Sequence, residues 1–432
     1  MIKRPFFGLI QARLKYPAVI PDQPVAIKDI DLSSKIILLY ENKTGQQNVS
    51  RLKAGDKVKT GQRLELFENT SDYIISTATG EVNEISKHTG YFGRNYISIT
   101  IARNSKDQWD ENFKTSDQAG NYENVIKFLG ALPGETSLSI LLSLNPAEHP
   151  PINKIVIKGI DNDLLVTNNQ TILKTQLDDL KNGIAILSEI MHTKDIIFVV
   201  PPALETQVSE LEVTVKTVEP KYPNHLPHMI MKNVLGEVIP AGKSLRDSKA
   251  DFINAEAVAA LGMAFRDRVI PIYKILTVIK KDSSVVMVRT RVGTPVKDIL
   301  DTLGIELNHG DRLVLGGPMT GHVVYSEDLP VMYDTDAIMI QDKKQIILST
   351  DNQCINCGEC IRACPAKVPV NMLVRVLENG LYDDAADEYG LFSCIECGLC
   401  AYVCTARIPV FHFIMLGKHE YALLKNAEES NA

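Results

Sequence analysis

The sequence predicts a multidomain α/β protein in which three folded regions lead into an all-helical, cysteine-bearing domain. Three observations carry this. At 432 residues the chain is too long for one ordinary core. Its texture changes along its length, from short Val-, Ile- and Thr-rich runs cut by glycine, to alternating strand and helix signals, to helical spacing near the end. Finally, every cysteine falls between Cys354 and Cys404.

Residues 1–103 read as a β-rich domain. Gly55-Asp56 and Lys59-Thr60-Gly61 bracket a short strand around Val58, and Ile74 to Val82 gives a strand, a turn at Gly80 and another strand. The pattern resembles the barrel-sandwich-hybrid fold of biotinyl and lipoyl domains. Those carriers present a modifiable lysine at a hairpin tip where this chain has Ser76, Thr77 and Thr79, so the expected role is structural or docking. Residues 104–270 open with a polar linker at 104–120 and then alternate. Ile155–Ile157 reads as a strand, Thr171–Ile190 as a helix, Ile196–Val200 as a buried strand, and Asn254–Phe265 as an Ala-rich helix. Such alternation predicts a largely parallel sheet. In residues 271–347, Ser284–Thr290 is a strand, Pro295–Leu303 a helix, and Arg312–Leu315 a strand running into the glycine-rich turn Gly316–Gly321. That is a small ubiquitin-like α+β module, whose turn needs no ligand to explain its glycines.

Residues 348–432 predict three helices. Pro369–Asn379 carries Met372, Leu373, Val376 and Leu377 at helical spacing and stops at Gly380; Tyr382–Tyr389 stops at Gly390; Pro409–Lys425 has Gly417 as a weak point. The last five residues read as a frayed tail. Between the helices lie two cysteine runs, Cys354, Cys357, Cys360, Cys364 and Cys394, Cys397, Cys400, Cys404, related by an offset of 40 residues that also matches Gly358 with Gly398 and Lys367 with Arg407. Four thiols at these spacings are the ferredoxin pattern for [4Fe–4S] clusters, in which the fourth cysteine of each run ligates the other run's cluster. Cys354, Cys357, Cys360 and Cys404 are therefore expected to hold one cluster, and Cys394, Cys397, Cys400 and Cys364 the other. Structural zinc usually uses two well-separated thiol pairs, and disulfides suit neither the spacing nor a reducing compartment. Leu399, Tyr402 and Val403 should make the second run the more shielded.

A net charge of −7 gives no footprint for nucleic acid. No apolar run reaches membrane-helix length, and Met1–Gly8 leads into no signal-peptide core. The expectation is a cytoplasmic protein, peripheral on the inner face of the cell membrane through its partners. His225 and His228 form an HxxH pair with no third ligand nearby, too weak a signal for a metal site.

The segments together resemble the C subunit of Rnf-type ion-translocating ferredoxin:NAD oxidoreductases (RnfC). Leu391–Cys404 is very similar to that family's cluster domain, and Arg291–Val296 with Gly316–Gly321 resembles its SLBB module. Lys221-Tyr222-Pro223 and Gly236–Pro240 match further family words. The middle of the chain is also similar to the A subunit of the sodium-translocating NADH:quinone reductase. The resemblance implies a barrel-sandwich-hybrid domain (1–103), a linker and an α/β domain like the flavoprotein subunit of respiratory complex I (104–270), an SLBB module (271–347) and a helical dicluster ferredoxin domain (348–432). It implies two [4Fe–4S] clusters, a membrane-embedded redox complex as partner, and a soluble electron carrier, either ferredoxin or an NADH-linked protein.

The resemblance also implies an FMN site that takes hydride from NADH, around Gly130, Gly134, Gly159, Asp161 and Asp163. There the chain departs from the family. GxGGAGFPT is represented by Gly130–Thr136, with Leu132 and Pro133 in place of glycines, and NGAECEPY by Lys158–Leu165. Asn224–His228 lacks the family's Gly-Glu. Two readings stand open: a relay through the clusters alone, or a flavin-dependent NADH dehydrogenase (or cobalamin-reductase-like relative) with altered contacts. A third class, a zinc-stabilised assembly protein, is separable by metal and sulfide analysis.

Overall fold

The structure is a computed structural model and describes residues 14–16, 25–31, 33–42, 51–67, 72–90, 94–113, 127–134, 152–240, 243 and 245–431. The expectations for Met1–Gly8 and for Glu135-Thr136 lie outside the described residues.

Near the N-terminus, strands β2 (Lys35–Glu41), β3 (Lys57–Val58), β6 (Gly80–Thr89) and β7 (Asn95–Arg103) form an antiparallel sheet in the order β2-β7-β6-β3. A hairpin of β4 (Arg63–Glu65) and β5 (Tyr73–Ile75) completes the unit. Alternate residues Ile36 and Leu38 of β2 point inward onto Val58, Leu64, Val82, Ile99 and Ile101, as the two-residue period of a strand requires. Gly80 is not a turn. It opens β6, where an added Cβ would lie 2.0 Å from the Ala102 carbonyl oxygen, so the glycine permits close strand approach.

The sheet β10-β9-β8-β11, from β8 (Lys154–Lys158), β9 (Ile196–Val200), β10 (Thr214–Thr217) and β11 (Ala250–Asn254), is parallel throughout. Its two central strands carry continuous apolar runs, Ile155–Ile157 and Ile196–Val200, because both faces are covered there. Ile155, Ile157, Phe198 and Val200 meet a helical layer of α1 (Asn168–Thr175), α2 (Leu177–Met191) and α4 (Ala255–Asp267); a short α3 (Pro227–Ile230) precedes α4. The single helix expected over 171–190 is two, broken at Gln176, whose φ of −133° leaves the helical region. The opposite face, Val156, Ile197 and Val199, packs on Tyr16, Tyr222, Cys397 and Leu399. The cysteine-bearing domain thus sits directly on the parallel sheet.

The third unit is a six-stranded sheet in the order β1-β13-β12-β16-β14-β15, covered by α5 (Val296–Leu303). Its strands are β12 (Tyr273–Ile279), β13 (Val285–Arg291), β14 (Arg312–Leu315), β15 (His322–Val324) and β16 (Ala337–Gln341), joined by β1 (Ile27–Asp29), which runs parallel to β13. Residues 27–29 therefore belong to this sheet and not to the N-terminal one. Nor do residues 104–113 behave as a loose linker. Trp109 bridges Thr60, and Asp107 forms an ion pair with the buried Arg291.

The C-terminal domain is helical: α6 (Glu359–Ala363), α7 (Val370–Glu378), α8 (Tyr382–Asp387), α9 (Leu399–Tyr402) and α10 (Val410–Asn431). The expected frayed tail is helical through Asn431. Gly417 marks a close contact rather than a weak point, since a Cβ there would lie 2.4 Å from Leu377 Cδ2 on α7. No helix among the described residues is long and apolar enough to cross a membrane.

Candidate iron–sulfur centres

The sequence repeat returns as a repeat of backbone shape. Asn356 and Glu396, Gly358 and Gly398, and Lys367 and Arg407 all take positive φ at matching places in the two runs. Gly358 and Gly398 turn the chain into α6 and α9. At Gly398 no side chain fits, because a Cβ would lie 2.6 Å from the Met319 carbonyl oxygen on the Gly316–Gly321 turn.

Cys354, Cys357, Cys360 and Cys404 line one cavity of about 40 Å³, together with Asn356 and Arg375. Cys354 and Cys357 are exposed, and Cys360 and Cys404 half-buried. Burial pushes the Cys360 thiol up, and its neighbours Cys357 and Cys354 add to the effect. Arg362 donates to the Cys357 carbonyl at 2.7 Å and to Glu359, while Arg375 donates to Asn356 Oδ1 at 2.7 Å. Cys357 Sγ lies 3.9 Å from the Thr405 hydroxyl.

Cys364 lies near Cys394, Cys397 and Cys400, the four residues expected to make the second set. Burial pushes the Cys397 thiol up to about 12, with the charges of Cys394 and Cys364 reinforcing it and the Leu399 N–H opposing it. Cys400 is pushed up by burial and then by Cys394 and Cys397, with Cys364 a smaller contributor. Thiols crowded this way resist ionisation until cations arrive, so the donor set suits a multi-iron group. Two side chains clamp the backbone of this run. Lys418 Nζ donates to the Cys394 carbonyl at 2.9 Å and to Glu396 at 2.6 Å, and Tyr222 Oη donates to the Cys397 carbonyl at 2.7 Å. Sequence reasoning misses both contacts. Lys418 carries no local signal, and Tyr222 stands out only as part of Lys221-Tyr222-Pro223. Among the described residues no three His, Cys, Asp or Glu side chains converge on a single-ion site.

The residues singled out for a flavin are otherwise engaged. The N–H of Gly130 donates to Tyr73 Oη at 2.9 Å, that of Gly134 to the Tyr333 carbonyl at 2.8 Å and that of Gly159 to the Val199 carbonyl at 2.8 Å. Asp161 accepts from the N–H of Asn169 and from the Gln170 side chain at the start of α1. Its burial, against those donors, pushes it up to about 7. Asp163 accepts from the N–H of Met319 and Thr320 and from the Thr320 hydroxyl, clamping the Gly316–Gly321 turn to the α/β body. A phosphate cradle needs free N–H donors, and these three glycines offer none. Beside Gly134, Lys274 is wholly buried against Glu256 (2.6 Å) and Asp336 (3.4 Å), an internal ion pair that no sequence motif announces. His225 is buried with its Nδ1 hydrogen-bonded to Tyr16 Oη at 2.5 Å, so it serves the core.

Residues 22–106 match the family described as the RnfC barrel sandwich hybrid domain, and residues 346–405 the family described as a 4Fe-4S dicluster domain. The C subunit of the proton-translocating ferredoxin:NAD(+) oxidoreductase complex of Clostridium ljungdahlii is 26% identical over 400 residues, covering 88% of this chain and 85% of that protein. The C subunit of the ion-translocating oxidoreductase complex of Yersinia pestis is 24% identical over 363 residues, covering 79% of this chain but 58% of that protein. The chain thus spans little more than half of the second relative. Among solved structures, an NAD+-reducing [NiFe]-hydrogenase in the air-oxidized state covers 58% of this chain and 52% of its own, with a TM-score of 0.41 at 12% identity, too slight a likeness to carry an argument.

Proposed function

We propose that this RnfC-like chain, an iron–sulfur electron-transfer subunit, relays single electrons between a soluble carrier and a partner subunit of a membrane-associated redox complex. Cys354, Cys357, Cys360 and Cys404 would hold one cluster and Cys394, Cys397, Cys400 and Cys364 the other. The observation that supports these sets is the exchange of the fourth thiol: Cys404 lines the cavity of the first three cysteines, and Cys364 faces the second three. When bound, the two [4Fe–4S] clusters supply one-electron storage at potentials set by burial, charge and hydrogen bonds to sulfur.

The chain's own residues supply the rest. Lys418 and Tyr222 fix the backbone of the buried set, and the N–H groups of Glu396, Leu399 and Ala401 face the sulfurs of Cys394, Cys397 and Cys400. The parallel sheet covers Cys397 of that set, while Cys354 and Cys357 of the first set are exposed. The α/β and Gly316–Gly321 units, read as flavoprotein-like and SLBB-like, then act as the platform on which the buried set rests. The chain lies on the inner face of the membrane through partner subunits.

The engaged N–H groups of Gly130, Gly134 and Gly159 favour this relay over a flavin-dependent NADH dehydrogenase. Acid extraction of anaerobically purified protein tests it, with released flavin normalised to iron. About eight irons per chain and no flavin is the expected result. About one flavin per eight irons would move the dehydrogenase reading to the front, and zinc without acid-labile sulfide would overturn both.

A further inference from the structure

The duplication in the cysteine-bearing domain extends into its helices. At the offset of 40 residues, α7 and α10 begin on Val370 and Val410, and Leu373, Val374 and Leu377 match Phe413, Ile414 and Gly417. The two helices cross where a repeat position meets its own mate, since a Cβ on Gly417 would lie 2.4 Å from Leu377 Cδ2. Contact between equivalent residues marks a local two-fold relation. One residue beyond the crossing the charge reverses, with Glu378 on α7 and Lys418 on α10. Each stands at its own thiol set. Glu378 lines the cavity of Cys354, Cys357, Cys360 and Cys404. Lys418 Nζ donates to the Cys394 carbonyl at 2.9 Å, which puts the ammonium within one residue's reach of that thiol.

We propose that this duplicated position tunes the two sets in opposite senses: Lys418 favours the reduced state at the set with Cys394, and Glu378 disfavours it at the set with Cys354. The inference rests on the proposed relay and assigns it two positioning residues. Reduction brings one electron from the relay's donor to each set, and no bond forms or breaks. A fixed cation stabilises the added negative charge and a fixed anion opposes it, the more strongly the less water lies between. Lys418 is 17% exposed and its ion-pair partner Glu396 is 42% exposed, so solvent screens the carboxylate more than the ammonium. Glu378 is exposed, and Arg375 in the same cavity opposes it, so its effect is the smaller. Clamping of the backbone alone carries no such sign, because a neutral donor can hold the Cys394 carbonyl too.

The test is a redox titration of the anaerobically purified, iron-loaded full chain, followed by electron paramagnetic resonance of its two reduced signals. Lys418→Gln keeps an N–H donor and removes the charge. At the native midpoint, the ratio of reduced to oxidised centres should fall on the order of tenfold for one signal, with the other little changed. Lys418→Arg should titrate like the native chain. Glu378→Gln, a surface change, should move the other signal by less, toward a less negative midpoint. If Lys418→Gln fails to load iron, Glu378→Gln still decides. Native midpoints in either charge-removing variant, or both variants moving the same signal, overturn the tuning and leave the relay standing. A native chain without iron overturns the relay, and the tuning with it.

Discussion

Arg291 is 2% exposed, and its guanidinium holds two folded units together. Nη1 donates to the Thr77 carbonyl and to Asp107 Oδ1, and Nη2 to Asp107 Oδ2 and Tyr273 Oη. The pair of hydrogen bonds from Arg291, helped by the Thr60 hydroxyl, holds the Asp107 carboxyl at about 2 against the opposing effect of burial. A depressed carboxylate contributes stability above its unfolded range near 3.8, and that contribution is lost as pH falls through about 2. Asp107→Asn leaves a buried charge without its counterion. Because Asp107 itself is 20% exposed, the cost should be about 2–3 kcal/mol, below that of a fully buried pair. Thermal melting of the metal-free chain checks this: the gap between native and variant should be full near neutrality and narrow from pH 4 toward 2. A gap that does not change with pH would show that the ion pair is not its source. Polar composition marks 104–120 as a linker; it cannot show that Asp107 answers a cation 184 positions away.

At the scale of elements, glycines decide which helices touch. In α2 and α4, a Cβ on Gly183 would lie 1.9 Å from the Val258 carbonyl oxygen, and one on Gly262 would lie 1.9 Å from that of Asp179. The two backbones therefore meet at a distance no side chain allows. Gly262→Ala should gain up to about 1 kcal/mol of helix propensity and lose more than that to overpacking, about 1–3 kcal/mol or beyond. The melting midpoint should fall by several degrees, at about 2–4 °C per kcal/mol; a midpoint that holds or rises would disprove the close packing. Nothing in the sequence distinguishes such a glycine from a helix weakener, which is why Gly417 reads as a weak point and is instead a contact. Strands are far more legible. Ile196–Val200 and Arg312–Leu315 stand where the apolar runs place them, because a strand buried on both faces is written locally. The parallel pairing of β1 with β13 is not, since its two partners lie about 260 residues apart and only the assembled sheet brings them into register. The cysteine runs are legible because the chemistry of one cluster sets their spacing within a few residues.

Across the whole molecule, the two thiol sets differ in what surrounds them. Cys397 is buried where the parallel sheet presents Val156, Ile197 and Val199, and Cys400 in the helical domain's own core with Leu373, Leu391 and Ile414, whereas Cys354 and Cys357 are exposed beside Ile355, itself 63% exposed. The sequence points to the second run as the shielded one through Leu399, Tyr402 and Val403. Leu399 is indeed buried, but Tyr402 is 44% exposed, and the α/β body supplies part of the shield through its contact with Cys397. The two sets thus differ in access: one is covered in part by the parallel sheet and the other carries exposed cysteines. That difference sets an order of loss. Under ferricyanide with a chelator, iron should leave in two phases of similar size, the faster from the set with exposed cysteines, because oxidant and chelator reach it without unfolding. Alkylation stopped after the first phase should label Cys354 and Cys357 and spare Cys397 and Cys400, as mass spectrometry of the digested chain would read. Tyr222→Phe should shorten the slow phase alone, since it removes the hydrogen bond that ties the Cys397 carbonyl to the sheet side. A single phase, or first labelling at Cys397 and Cys400, would mean that the buried set is open in solution.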